Sequence, residues 1–167
     1  MVARWSFSES TPFATIRNVW DPQTKTSNYR LAADYWVLLI HKATVGRNVL
    51  STDVPKDSPV LAYASCGKHG NGSVVISISN PSNTAVTLGL DLPHTPRFEY
   101  VLTAPSGNLS SVAPVLNGGA QLELSTRGEL PDAFAPAFVG DGTITVPAHA
   151  CGFFVLLEAG AVACKSA

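Results

Sequence analysis

From Gly46 onward the chain is a succession of short β-branched and aromatic runs separated by turn-forming clusters, a rhythm that points to an antiparallel β-domain. Val60 to Ser65, Ser73 to Ser79, Thr84 to Leu90, Arg97 to Thr103, Gln121 to Ser125, Gly142 to Val146 and Gly152 to Glu158 read as strands. In Ser73 to Ser79, Val74, Ile76 and Ile78 alternate with Ser73, Val75, Ser77 and Ser79, as in a strand with one buried face. Asn80-Pro-Ser-Asn83 supplies a turn, and the prolines fall mainly between the runs, where a missing N–H breaks no ladder. Phe153-Phe154-Val155 is apolar without interruption, so its strand is expected to lie between two buried faces.

Ahead of this region, residues 4 to 20 alternate loosely and are consistent with a strand followed by a loop. Asp34 to Thr44 places Trp36, Leu39, Ile40 and Ala43 on one face at helical spacing, with Asp34 as a plausible N-cap and Gly46 as a stop. An amphipathic helix is predicted here. Its apolar face of Trp36, Leu39 and Ile40 would be exposed if nothing else in the chain covered it, and would then call for a protein partner.

At 167 residues, 46% hydrophobic and 14% charged, the chain has the composition of one globular domain with a core and a short appendage. A formal net charge of −1 sets up no field that would gather nucleic acid or anionic lipid. No run of roughly 18 apolar residues occurs, so no transmembrane helix is expected. The first ten residues lack the basic start, apolar stretch and small-residue cleavage site of a signal peptide, and the expectation is that the natural N-terminus is missing. Cys66 and Cys164 each end or follow a strand-like run, and a bridge between them would tie the first strand of the domain to the last, as suits an oxidising compartment. Asn71-Gly-Ser and Asn108-Leu-Ser are candidate glycosylation acceptors.

Several segments together carry a family resemblance. They are Asp-Tyr-Trp-Val-Leu-Leu-Ile-His-Lys-Ala-Thr-Val-Gly-Arg-Asn-Val-Leu (34 to 50), the strand ending in Cys66, Ser-Val-Val-Ile-Ser-Ile-Ser-Asn (73 to 80) and Val-Pro-Ala-His-Ala-Cys-Gly-Phe-Phe-Val-Leu-Leu (146 to 157) followed by Ala-Val-Ala-Cys164. In this order they resemble the C-terminal part of the heparanase-like glycoside hydrolases of family 79, the β-glucuronidase class. The resemblance implies a mainly β fold: an antiparallel β-sandwich at 49–167, preceded at 1–48 by the last strand and helix of a (β/α)8 barrel that is otherwise absent. It implies a disulfide between Cys66 and Cys164, with Cys151 left as a buried free thiol. It also implies a secreted, lysosomal or vacuolar address and a glycan or glucuronide substrate met through the absent barrel.

Retaining glycosidases need two carboxyl groups about 5 to 5.5 Å apart. By resemblance both glutamates lie upstream of the matched region, and Glu9 stands too close to the helix to replace one of them. No catalytic residue is therefore assigned, and the chain alone is expected to be inactive. Glu99, Glu123, Glu129 and Glu158 read as outward carboxylates on strands and loops. Ser10-Thr-Pro-Phe-Ala-Thr-Ile lacks the Asn-Tyr pattern that the family has at the end of the last barrel strand.

The remaining constellations read more simply as structure. Cys66 and His69 have no second ligand pair at metal spacing, so neither metal nor cofactor is expected. His149 and Cys151 lack a third, orienting group. Gly140-Asp-Gly and Asn117-Gly-Gly are turns that precede no helix, and His41 is a satisfied or partly exposed helix residue. The alternative to a hydrolase segment is a stand-alone carbohydrate-binding or interaction sandwich, with Tyr63, Phe98 and Tyr100 available to stack on sugar rings.

Overall fold

The computed structural model describes residues 8–9, 15–55, 57–70, 72–89, 96–109, 111, 113–125, 127–140 and 142–165. The chain begins with β1 (Ser8–Glu9), β2 (Ile16–Asp21) and β3 (Thr26–Leu31), which form a three-stranded sheet with β1 parallel to β2. A hairpin joins β2 and β3. The Asp21 carboxylate accepts hydrogen bonds from the backbone N–H of Gln23 and Thr24, and these bonds hold its pKa below the usual carboxylate value.

Helix α1 (Ala33–Thr44) follows and runs without a linker into β4 (Val45–Leu50). The N-cap is Ala32, with no side-chain capping bond, and Asp34 lies inside the first turn, where its charge favours the helix dipole. Gly46 does not stop the helix. Val45 is already extended, and Gly46 lies within β4, where a Cβ would come 2.7 Å from the Cys66 carbonyl oxygen. The buried ridge is Trp36, Ile40 and Thr44, at i, i+4 and i+8; Leu39 is half-buried and Ala43 is exposed, contrary to the predicted stripe.

The remaining strands are β5 (Leu61–Gly67), β6 (Val74–Asn80), β7 (Val86–Leu88), β8 (Arg97–Thr103), β9 (Val115–Leu116), β10 (Ala137–Val139), β11 (Ile144–Val146) and β12 (Ala150–Leu156). An antiparallel seven-stranded sheet has the order β10-β8-β12-β6-β5-β4, with β9 also paired to β8. The fold is thus mainly β with antiparallel sheets and one helix. Its second β layer is thin, consisting of the two-stranded ribbon β7–β11. Gln121 to Ser125 forms only an isolated bridge at Gln121, and no strand there pairs with the sheet.

Strand β12 lies in the middle and is buried on both faces, as its unbroken apolar run predicts. On one face Phe153 and Val155 meet Trp36 and Ile40 of α1, with Val75, Leu102, Leu116 and Leu122 completing that core. On the other, Phe154 packs with Ile78 of β6 and with Ile144 and Val146 of the ribbon. Gly152 leaves room for that ring, since a Cβ there would sit 2.6 Å from Phe154 Cε2.

The helix face expected to need a partner is therefore covered by the chain itself: Trp36 and Ile40 are both 0% exposed. Truncating Trp36 should remove a large part of this core. Trp36→Ala is expected to cost about 3–5 kcal/mol in urea unfolding, whereas a loss below about 1 kcal/mol would place the ring outside the core.

Cys66 and Cys164 are joined by a disulfide, with Cα atoms 5.2 Å apart and a sequence separation of 98. Cys66 belongs to β5, one strand in from the β4 edge, and Cys164 to a 3-10 turn after β12, so the bridge links an inner strand to the tail and not the first strand to the last. Ala161 N–H donates to the Gly72 carbonyl, and Gly72, at φ +75°, could not carry a side chain: its Cβ would lie 2.9 Å from Ala161 N. For a loop of this length, chain-entropy reasoning gives up to about 4–5 kcal/mol. Reductant should accordingly lower the melting temperature of the wild type and leave a Cys66→Ala, Cys164→Ala variant unmoved.

Candidate functional site

A cleft of about 370 Å³ lies between the start of α1, the loop after β8 and the start of β12. Ala33, Val37, Leu102, Leu109, His149 and Cys151 are among its lining residues. The wall is mainly aliphatic, and the groups in it with chemical potential are the Cys151 thiol and the His149 imidazole.

These two do not form a nucleophile and base. His149 is exposed and has a left-handed backbone, φ 51°, with its N–H donating to the Ser82 carbonyl. Cys151 is half-buried and free. Burial, and secondarily the Asp34 carboxylate, pushes its pKa from 9.0 up to about 11. The thiol is thus protonated at neutral pH and lacks the thiolate that nucleophilic chemistry requires.

Most buried polar side chains of the described residues serve the frame. Asn80, 1% exposed, donates through Nδ2 to the carbonyls of Thr84, Val146 and Pro147, and its Oδ1 accepts from Ser82 N–H and Oγ. Arg97, 3% exposed, donates to Glu99 at 2.7 Å and to the carbonyls of Gly142 and Thr143. Glu99 is consequently a partly buried ion-pair partner, and its carboxylate is not an outward one as the sequence suggested. Asn117 was read only as part of a turn. It has φ 50°, its Oδ1 accepts from Val101 N–H, and its Nδ2 donates to the carbonyls of Glu99 and Ala135, so the side chain substitutes for a strand beside β8 between β9 and β10. An asparagine before glycine in a tight turn was the only signal available for that role.

The other predicted positions disperse over the molecule. Glu9 is in β1, in register with Arg17, while Glu123, Glu129 and Glu158 are exposed. His69 meets Phe98 at a tilt of 55° with ring centroids 5.8 Å apart, and His41 meets Phe153 edge-on at 6.4 Å. Among the described residues, no three His, Cys, Asp or Glu side chains gather as metal ligands would. Tyr63 is 64% exposed on β5, whereas Phe98 and Tyr100 are partly buried against the helix-side core, so the three do not form one stacking platform. Asn71 lies outside the described residues, and Asn108 is exposed just after a 3-10 turn. No helix among the described residues is long and apolar enough to cross a membrane.

A protonated, shielded thiol should alkylate slowly. Iodoacetamide labelling of Cys151 is expected to be slow at pH 7 and to accelerate as pH rises toward about 11; fast labelling at neutral pH would contradict the burial. The linked stability has a definite sign. The folded state holds this proton more tightly than the unfolded chain, so the contribution is complete below pH 9.0 and is lost as pH rises through about 11.

No protein-family model matches the sequence. Among curated proteins, it is 31% identical over 143 residues to a hyaluronoglucuronidase of Hirudo nipponia, covering 79% of this chain and 28% of that protein. It is 29% identical over 149 residues to heparanase of Gallus gallus, covering 83% and 28% respectively. The chain thus spans between a quarter and a third of the length of these relatives. In fold it is similar to the crystal structure of BuGH86wt in complex with neoagarooctaose, with a TM-score of 0.55 at 14% identity over 90% of this chain and 23% of that one. The glucuronidase and heparanase relatives align over most of this chain at 29% to 31% identity, and by that likeness the chain belongs to the heparanase-like family of glycoside hydrolases.

Proposed function

We propose that this chain is the C-terminal sandwich region of a heparanase-like hydrolase of β-glucuronide linkages, and that it supports the catalytic domain without performing the chemistry. The observation that carries this reading is that the match to a hyaluronoglucuronidase takes in 79% of this chain but only 28% of that enzyme. In the proposal, residues 1–48 supply the last strand and helix of a (β/α)8 barrel and residues 49–167 the attached sandwich. The carboxyl pair, nucleophile and general acid/base, comes from sequence outside the matched region. The Cys66–Cys164 bridge fits synthesis in an oxidising compartment, hence a secreted, lysosomal or vacuolar enzyme. The chemistry of the described residues is in keeping with a supporting role: the one free thiol is protonated, and the buried polar side chains Asn80 and Arg97 are bonded to neighbouring loops.

Two measurements test the proposal. The 167-residue chain alone should not turn over an aryl β-glucuronide, and turnover abolished by Glu9→Gln would overturn the assignment. Substituted for the corresponding segment of the Hirudo nipponia enzyme, the chain should restore activity that the truncated enzyme lacks. A folded chimera without activity would argue for a sandwich with an independent role.

A further inference from the structure

We propose that Asn108 carries an N-linked glycan and that this glycan stands at the mouth of the Cys151 cleft. The inference rests on the secretory reading above. An N-linked oligosaccharide is large and strongly hydrated, so its asparagine must lie where the folded chain leaves solvent around it. Asn108-Leu-Ser110 meets the sequence requirement, with leucine and not proline in the middle. The chain turns sharply just before it: Ser106 and Gly107 both have positive φ, at 50° and 73°, and the Asn108 N–H donates to the Pro105 carbonyl. Asn108 is consequently exposed beyond the end of β8, and the Leu109 side chain beside it is 62% exposed at the rim of the cleft.

The second acceptor triplet is placed differently. Gly72 and Ser73, which complete the triplet starting at Asn71, are both buried, and Gly72 is pressed against Gly160 and Ala161 of the tail held by the disulfide. At the other triplet the two described members, Asn108 and Leu109, are both exposed. The two triplets are alike as sequence, and their surroundings distinguish them.

In the transfer, Asn108 Nδ2 attacks the anomeric carbon of a polyisoprenyl-pyrophosphate-linked oligosaccharide. The new C–N bond replaces the carbon–oxygen bond to pyrophosphate, the lipid pyrophosphate leaves with the electron pair, and Nδ2 gives up one proton to a base of the transferase. One consequence is that the sugar stands next to Leu109, a residue that lines the cleft.

The test expresses the full chain behind a cleavable secretion signal in a eukaryotic host and weighs the protein from cells and medium before and after peptide N-glycosidase. The expected result is one oligosaccharide mass that the glycosidase removes, leaving aspartate at position 108. Asn108→Gln and Ser110→Ala should both abolish the excess mass, while Ser110→Thr and Asn71→Gln should retain it. An unmodified wild type would overturn the proposal, as would an excess mass that survives Asn108→Gln and Ser110→Ala but disappears in Asn71→Gln. Because the signal forces entry into the secretory pathway, an unmodified chain speaks against the site itself. The family reading is tested separately by the activity of the chimera.

Discussion

Everything in this fold depends on β12 being buried from both sides. Phe153 and Val155 need the helix and Phe154 needs the ribbon, so neither covering layer is optional once this strand occupies the middle of the sheet. The strand also joins two halves that are otherwise separate, β4-β5-β6 on one side and β8 with β9 and β10 on the other. All of its ladder partners precede it in sequence, and its pairing with β6 joins residues from 70 (Ala150 with Asn80) to 82 (Leu156 with Val74) positions apart in the chain. Long-range pairings of this kind have their loop-closure entropy to overcome before they are rewarded, and they make for slow folding.

The polar groups inside are used in the same service. Asn80 holds the turn after β6 to the end of β11, and Arg97 holds the start of β8 to the residues leading into β11. Apart from Val146, the carbonyl groups they bind belong to irregular backbone outside the strands, and a carbonyl buried unmet would be costly. Evolutionary freedom to turn such residues to chemistry is small, because each is committed to several bonds. Cys151 is constrained in another way: it lies half-buried in the cleft wall, where burial keeps its thiol protonated.

Strands with strong β character and an apolar core face were legible in the sequence; Arg97–Thr103 was read to the residue. Elements that depend on their neighbours were not. Thr26–Leu31 is too polar to announce itself and exists because the Asp21 turn returns the chain against β2. Val45–Leu50 was hidden because glycine after a helix ordinarily signals a stop, whereas Gly46 is there to let β4 approach the Cys66 carbonyl. Gln121 to Ser125 has the alternation of a strand, but the side of β8 it would need is already occupied by β9, the Asn117 side chain and β10. Of the candidate site, the cysteine pair could be read from the family resemblance. The cleft could not, since its walls come from α1, the loop after β8 and β12, which only the tertiary fold brings together.

The direct passage from Thr44 into Val45 has a mechanical side. With no linker, α1 and the edge strand β4 behave as a bent rod, its helical arm clamped against the sheet by Trp36 and Ile40 and its extended arm hydrogen-bonded into the sheet edge. A torque on the helix would reach the sheet first at Val45, ahead of the register shift between Val45 and Val49. Whatever orients the first turn of α1 thereby orients the sheet as well.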